Sequence, residues 1–189
     1  MGTRVLVIGT VWFALAISAG ATRVFVALRP PMPQIILIGL TAALLAVFYR
    51  VKDFRSWLLA MSPRYLVLIH LTRFVGAYFL FLHSRGQLPY AFAVPAGWGD
   101  LLVAVTALIL LSISPCSVGG RQCYLLWNAL GLADILFVVV LAARLALSKP
   151  ESMHALVVLP LSLLPTFLVP IIIASHIIIF IKFRRLPSP

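Results

Sequence analysis

The chain has 189 residues, of which 63% are apolar and only 10% charged. A water-facing surface needs far more polar residues than this, so a soluble globular domain is excluded, and with it disorder, a collagen-like chain and a disulfide scaffold. Fifteen Lys and Arg face four Asp and Glu, for a formal charge of +11. The basic residues sit between or beside apolar runs, so they read as topology signals and contacts to anionic headgroups in the lipid bilayer, not as a nucleic-acid surface.

A bilayer core of about 30 Å needs about 20 apolar residues as helix, and backbone in lipid must satisfy its own hydrogen bonds. Six segments qualify. The first covers about residues 5–28, interrupted by Thr22-Arg23. Its start, Arg4 followed by Val5–Ile17 and Ser18-Ala19-Gly20-Ala21, resembles a signal peptide with a small-residue cleavage site. The apolar run resumes at Val24, which favours an uncleaved first helix. The second covers 34–49, bounded by Pro30-Pro31-Met32-Pro33 and Arg50.

Between the second and third spans, Phe54, Trp57, Leu58 and Met61 share one helical face. Lys52, Asp53, Arg55 and Ser56 lie off it, so 52–61 is expected to be a short interfacial helix on the cytoplasmic side, ended by Ser62-Pro63. The third span covers 65–83. Ser84–Trp98 is too apolar for a solvated loop and carries Gly and Pro, which suggests a re-entrant segment or an extension of the fourth helix.

The fourth span covers 97–113. The polar loop after it holds the only cysteines, Cys116 and Cys123, at a spacing that matches no zinc motif and reads as ordinary thiols. The fifth span covers 124–147 and the sixth 155–183. Pro160, Pro165 and Pro170 should bend the sixth and free carbonyls near Leu156, Leu161 and Thr166. Leu88–Pro95 and Leu164–Pro170 echo each other weakly, as an inverted repeat would require. The expected fold is an all-α integral membrane protein, one domain over 1–189, in a compact bundle of about six transmembrane helices.

Counting Lys and Arg in alternate loops gives nine on the side of both termini and five on the other. Both termini are therefore expected in the cytoplasm, in a bacterial-type cytoplasmic membrane.

Charged side chains in mid-helix cost about 2.5–3.5 kcal/mol to insert, so each needs a partner or a task. Arg73 and Asp134 lie about 14 Å and about 20 Å along their helices from Arg64 and Arg121, close enough in depth to pair. Asp100 follows Pro95-Ala96-Gly97-Trp98-Gly99 and reads as the cap of the fourth helix. Alternatively it converges with His83 and Arg85 on a polar ligand or divalent metal near the outer face. Asn128, Gly131 and Asp134 step along the fifth helix and can line one wall, with Gly131 admitting a close neighbour.

The four histidines fall on two spans, His70 and His83 on the third, His154 and His176 on the sixth. His70 and His176 sit at similar depth, as bis-imidazole haem b would require. The thirteen-residue spacing of His70 and His83 resembles the ligand spacing of di-haem b-type membrane cytochromes. That resemblance covers this spacing alone, since His154 and His176 are twenty-two apart. It implies a redox protein.

No G-x-S-x-G, Walker A, G-x-G-x-x-G, H-E-x-x-H or C-x-x-C motif occurs. Three functions therefore remain. The first is binding or transport of a small polar or anionic solute at Arg73, Asp134, His83, Asp100 and Asn128, with Arg73 capturing the solute and Asp134 tuning the charge. The second is haem or metal redox chemistry at His70 and His176. The third is a structural or assembly subunit whose polar residues pack helices, in an oligomer or against a partner subunit.

Overall fold

The computed structural model describes residues 1–115 and 117–185. Among these the structure is helical, with no strand. Six helices are long and apolar enough to cross a membrane, as expected of a membrane protein. They are α1 (Gly2–Ala21), α2 (Met32–Arg50), α4 (Pro63–Ser84), α5 (Tyr90–Leu111), α6 (Val118–Ser148) and α7 (Leu164–Arg185). A shorter helix, α3 (Lys52–Ala60), follows α2.

The chain divides into two units, one of Met1–Ala60 with Leu141–Ile171, the other of Met61–Val140 with Ile172 onward. In the first unit, α1 stops at Thr22. Its hydroxyl donates to the carbonyls of Ser18 and Ala19 at 2.9 and 3.1 Å, and Arg23 turns left-handed. The apolar run expected to continue the span is a separate 3-10 turn, Val24–Ala27. Pro33 occupies the first turn of α2, where a missing N–H costs nothing. In α3, Asp53 lies in the first turn, where the helix dipole favours an acid. Phe54 and Trp57 stack at 6.2 Å on its apolar face, and Arg55 lies over the rings of Phe48 and Tyr49.

The prolines of the sixth segment do more than bend it. Residues 150–157 form a 3-10 helix and 159–162 form turns. The membrane-long helix begins only at Leu164, not at the expected residue 155. Its first turn, Leu164–Leu168, is a π-helix, the local adjustment that a proline-interrupted hydrogen-bond ladder permits. The Thr166 carbonyl accepts a hydrogen bond from Trp12 Nε1 at 3.0 Å, and the Thr166 hydroxyl donates to Ser162 at 2.7 Å. That carbonyl is therefore occupied by the protein itself. Phe167 packs between the rings of Trp12 and Phe13 at 4.8 and 5.0 Å.

In the second unit, Ser62 caps α4 by accepting from the Arg64 amide, and Pro63 starts the helix. Of the two expectations for Ser84–Trp98, the extension of the fourth helix is the one seen from Tyr90 on: Tyr90 to Trp98 is the first part of α5, with Pro89 at its N-cap. Pro95 lies inside this helix, past its first turn, and removes the backbone hydrogen bond to the Ala91 carbonyl. Helices α4 and α5 approach closely at Gly76 and Gly97, where a Cβ on Gly97 would lie 2.9 Å from the Gly76 carbonyl oxygen. Phe79 and Phe92 pack across the same interface at 5.4 Å. Cys123 is exposed, and Cys116 lies outside the described residues.

Candidate functional site: a buried arginine, two aspartates and two histidines

The middle of α4 is not α-helical. Ile69–Phe74 winds as a 3-10 helix, in which residues three apart eclipse. His70 and Arg73 therefore stack on one face, and Gly76 continues it. The buried positions of this stretch and the turns beside it repeat every three residues, through Val67, His70, Arg73, Gly76, Phe79 and Leu82. The helix thus points a histidine and an arginine at the same neighbours. Both are fully buried, at 0% and 1% exposure.

Arg73 uses its fork in three directions. Nε donates to Asp100 Oδ1 at 2.7 Å, Nη1 to the Gly131 carbonyl at 3.0 Å, and Nη2 to Asp134 Oδ2. A planar guanidinium with five donors suits this bridge, and a lysine ammonium does not. Each charged group sits near the middle of its helix, about 15 Å from either end for Arg73 and Asp100. Gly99 admits the Asp134 carboxylate, since a Cβ there would collide with it.

The pairing of Arg73 with Asp134 is the geometry that matched depths suggested. Asp100 is the third member, in the company of Arg73 and Asp134 that the solute-site reading gave it, and it corrects only the reading as a helix cap. It is not at a helix start, because α5 begins at Tyr90. It is buried in mid-helix and holds Arg73 instead of free amides. His83 and Arg85 do not join it. Ring nitrogen Nδ1 of His83 lies 3.1 Å from the Leu88 carbonyl, its ring packs on Tyr90, and Arg85 lies over Phe81. The convergence of Asp100, His83 and Arg85 on an outer ligand is thus absent.

A second, neutral arm adjoins the first. The rings of His70 and His176 lie 4.2 Å apart, and Trp127 packs on both, at 4.9 and 5.7 Å. Ser175 Oγ lies 3.0 Å from His70 Nε2 and donates to the Ile172 carbonyl at 2.8 Å. Asn128 grips His176 twice. Its Nδ2 donates to the His176 carbonyl at 2.9 Å, and its Oδ1 lies 2.8 Å from His176 Nδ1. Gly131 joins the arms. Its carbonyl holds Arg73, and its missing side chain makes room for His176, whose Cε1 would lie 2.7 Å from a Cβ.

Sequence reasoning found His70 and His176 at matching depth but assigned them to a cofactor. Metal–imidazole bonds of about 2 Å on opposite faces of a haem would hold the ring centroids about 6 Å apart. At 4.2 Å the two rings touch each other, with no slot for a porphyrin between them. Among the described residues no group of three or more His, Cys, Asp or Glu is placed to hold a metal. Trp127 and Ser175 were missed. Ser175 precedes His176 in sequence, but nothing in the spacing says that its hydroxyl serves a histidine on another helix.

Chemically, the site is one guanidinium shared by two carboxylates, beside two imidazoles, in the middle of apolar helices. No curated protein and no solved structure matches the chain. Residues 30–184 match the family described as Domain of unknown function (DUF8737), which takes in α2 to α7, and the chain belongs to that family.

Proposed function

We propose that the protein is a multi-pass membrane transport protein. Its Arg73–Asp100–Asp134 cluster binds a small cation, at its smallest a proton, during transfer of a small polar solute. The observation that carries this reading is the charge count of the buried cluster. Two carboxylates share one guanidinium, which leaves a formal charge of −1 with both ionised. An uncompensated buried charge is expensive, so the cluster has a standing demand for one positive charge. Ionisable residues at such depth are the usual parts of ion and proton pathways. An anionic solute fits less well than the sequence suggested, because Arg73 is already committed to its own carboxylates and a carbonyl. The Asp134 side chain is 21% exposed, against 5% for Asp100, so Asp134 is the point of access.

In this reading both termini face the cytoplasm. The basic residues around α3, including Arg50, Lys52 and Arg55, lie on anionic headgroups at that surface.

The test is flux. Purified protein in liposomes with an entrapped pH dye should carry protons down an imposed gradient. Asp134→Asn, nearly isosteric and still able to accept from Arg73, should stop that flux while keeping the native thermal profile. Wild-type flux no greater than that of protein-free liposomes would defeat the proposal. A packing role, as an assembly or structural subunit, would then take its place. One observation favours that second reading: Arg73 alone ties α4, α5 and α6 together.

A further inference from the structure

The hydrogen bonds around His70 and His176 fix where each ring carries its hydrogen. Ser175 has one hydroxyl hydrogen, and it goes to the Ile172 carbonyl. The contact from Ser175 Oγ to His70 Nε2 must then be an N–H donated by the ring. His70 is therefore the Nε2–H tautomer. Asn128 is oriented by its amide donating to the His176 carbonyl, which can only accept. Its oxygen thus faces His176 Nδ1, which must donate. His176 is the Nδ1–H tautomer.

The consequence is a pair of bare nitrogens. In neutral imidazole the nitrogen without hydrogen is an acceptor. His70 Nδ1 and His176 Nε2 are those nitrogens, and both are buried without a hydrogen-bond partner. The rings are 0% exposed. A native interior rarely leaves buried acceptors unused, and such exceptions call for an explanation. Here the explanation lies in the neighbouring arm, which carries one negative charge too many.

We infer that the His70–His176 pair and the Asp100–Asp134 pair are alternative seats for one exchangeable proton. The transfer balances. The O–H bond of a carboxyl breaks and leaves its electron pair on oxygen, while the lone pair of a bare imidazole nitrogen takes the proton. The existing N–H bonds to Ser175 and Asn128 stay in place. The charged and titratable groups facing one another are Arg73 and His70 on α4, Asp100 on α5, Asp134 on α6 and His176 on α7. With one proton on either pair they sum to zero, so the proton changes seat without creating net buried charge. The arms meet at Gly131, whose carbonyl binds Arg73 and whose Cβ position lies 3.2 Å from His176 Nε2.

This deepens the cation-binding reading and rests on it for the role of the proton, but its test is separate. The full chain, labelled with nitrogen-15 histidine and held in lipid bilayers, is followed by solid-state NMR, with His83→Gln and His154→Gln removing the other two signals. At neutral pH, His70 should be the Nε2–H tautomer and His176 the Nδ1–H tautomer. On acidification an imidazolium signal should grow from this pair. In Asp134→Asn at the same pH it should be weaker by about tenfold or more, because the negative charge that favours an imidazolium is gone. The reversed tautomer at either ring would overturn the inference. So would an imidazolium signal equally strong in Asp134→Asn, or none in wild type before the native spectrum is lost. Flux without the signal would remove the histidine seat and leave the transport reading standing. The signal without flux would do the reverse.

Discussion

The two arms of the buried cluster solve the problem of polar groups in an apolar interior in different ways. Around Arg73, charges are held by charges, with one negative charge in excess. Three of the guanidinium's donors are met by two carboxylates and a carbonyl drawn from two helices. Around His70 and His176, no charge is needed. Neutral oxygens of Ser175 and Asn128 each take one N–H, and the second nitrogen of each ring stays bare. The first arm is cross-linked, and its spare negative charge leaves room for one cation at the part-exposed Asp134. The second is held in orientation but keeps two empty acceptors. A charged cluster supplies cohesion, and a neutral one keeps spare capacity.

This contrast predicts unequal sensitivity. Arg73→Leu should have the largest effect, because it leaves one buried and one part-buried carboxylate with no counter-charge. Breaking one side of a buried ion pair typically costs about 3–5 kcal/mol. The measurement is thermal unfolding in detergent, where a large loss or failure to accumulate is expected. Arg73→Lys should recover only part of it, since one ammonium cannot reproduce the fork that reaches Asp100, Asp134 and the Gly131 carbonyl together. Equal stability of Arg73→Leu and wild type would mean that the cluster contributes no cohesion.

How much of this was legible beforehand follows from which signals are local. The six apolar segments were readable because hydrophobic length needs no tertiary knowledge. The partnership of Arg73 with Asp134 was readable because a mid-helix charge demands a counter-charge at its own depth. Asp100 was misread for a local reason. Pro95, Gly97 and Gly99 suggested a helix start at Gly97, whereas Pro89 caps a helix already running from Tyr90. The 3-10 turn at Ile69–Phe74 had no signal in residue type, yet it aligns His70 with Arg73. Ser175 and Trp127 could not be assigned, because their roles depend on partners on other helices. The haem reading failed for the same reason: matching depth says nothing of separation.

The glycines that seat each arm sharpen the comparison. At Gly99 an added Cβ strikes the Asp134 carboxylate, and at Gly131 it meets the His176 ring. Overpacking a tight site typically costs about 1–3 kcal/mol. Gly99→Ala should displace Asp134 and therefore reduce both stability and the proposed flux. Gly131→Ala should push on His176 while leaving the Arg73–Asp100 bond in place, so the histidine spectrum should change most. Thermal melts and histidine NMR on the two variants separate these outcomes. The same spectral change from both would mean that the arms move as one body.

The smallest effect should come from Ser175→Ala. The substitution removes the acceptor of the His70 Nε2–H and leaves the backbone helical. Side-chain hydrogen bonds between membrane helices average about 0.6 kcal/mol, so the melting temperature should barely move. The tautomer of His70 should be the sensitive readout. Without Ser175 nothing pins the hydrogen to Nε2, and the ring becomes free to place it on Nδ1, the nitrogen that is bare in the native site. A mixture of tautomers at His70, with His176 unchanged because Asn128 still holds it, is the expected nitrogen-15 spectrum. A single unaltered Nε2–H tautomer would show that Trp127 packing, at 4.9 Å from the His70 ring, fixes it without the hydroxyl. The spare acceptors would then be a product of ring packing, and the contrast between the arms would rest on Asn128 alone.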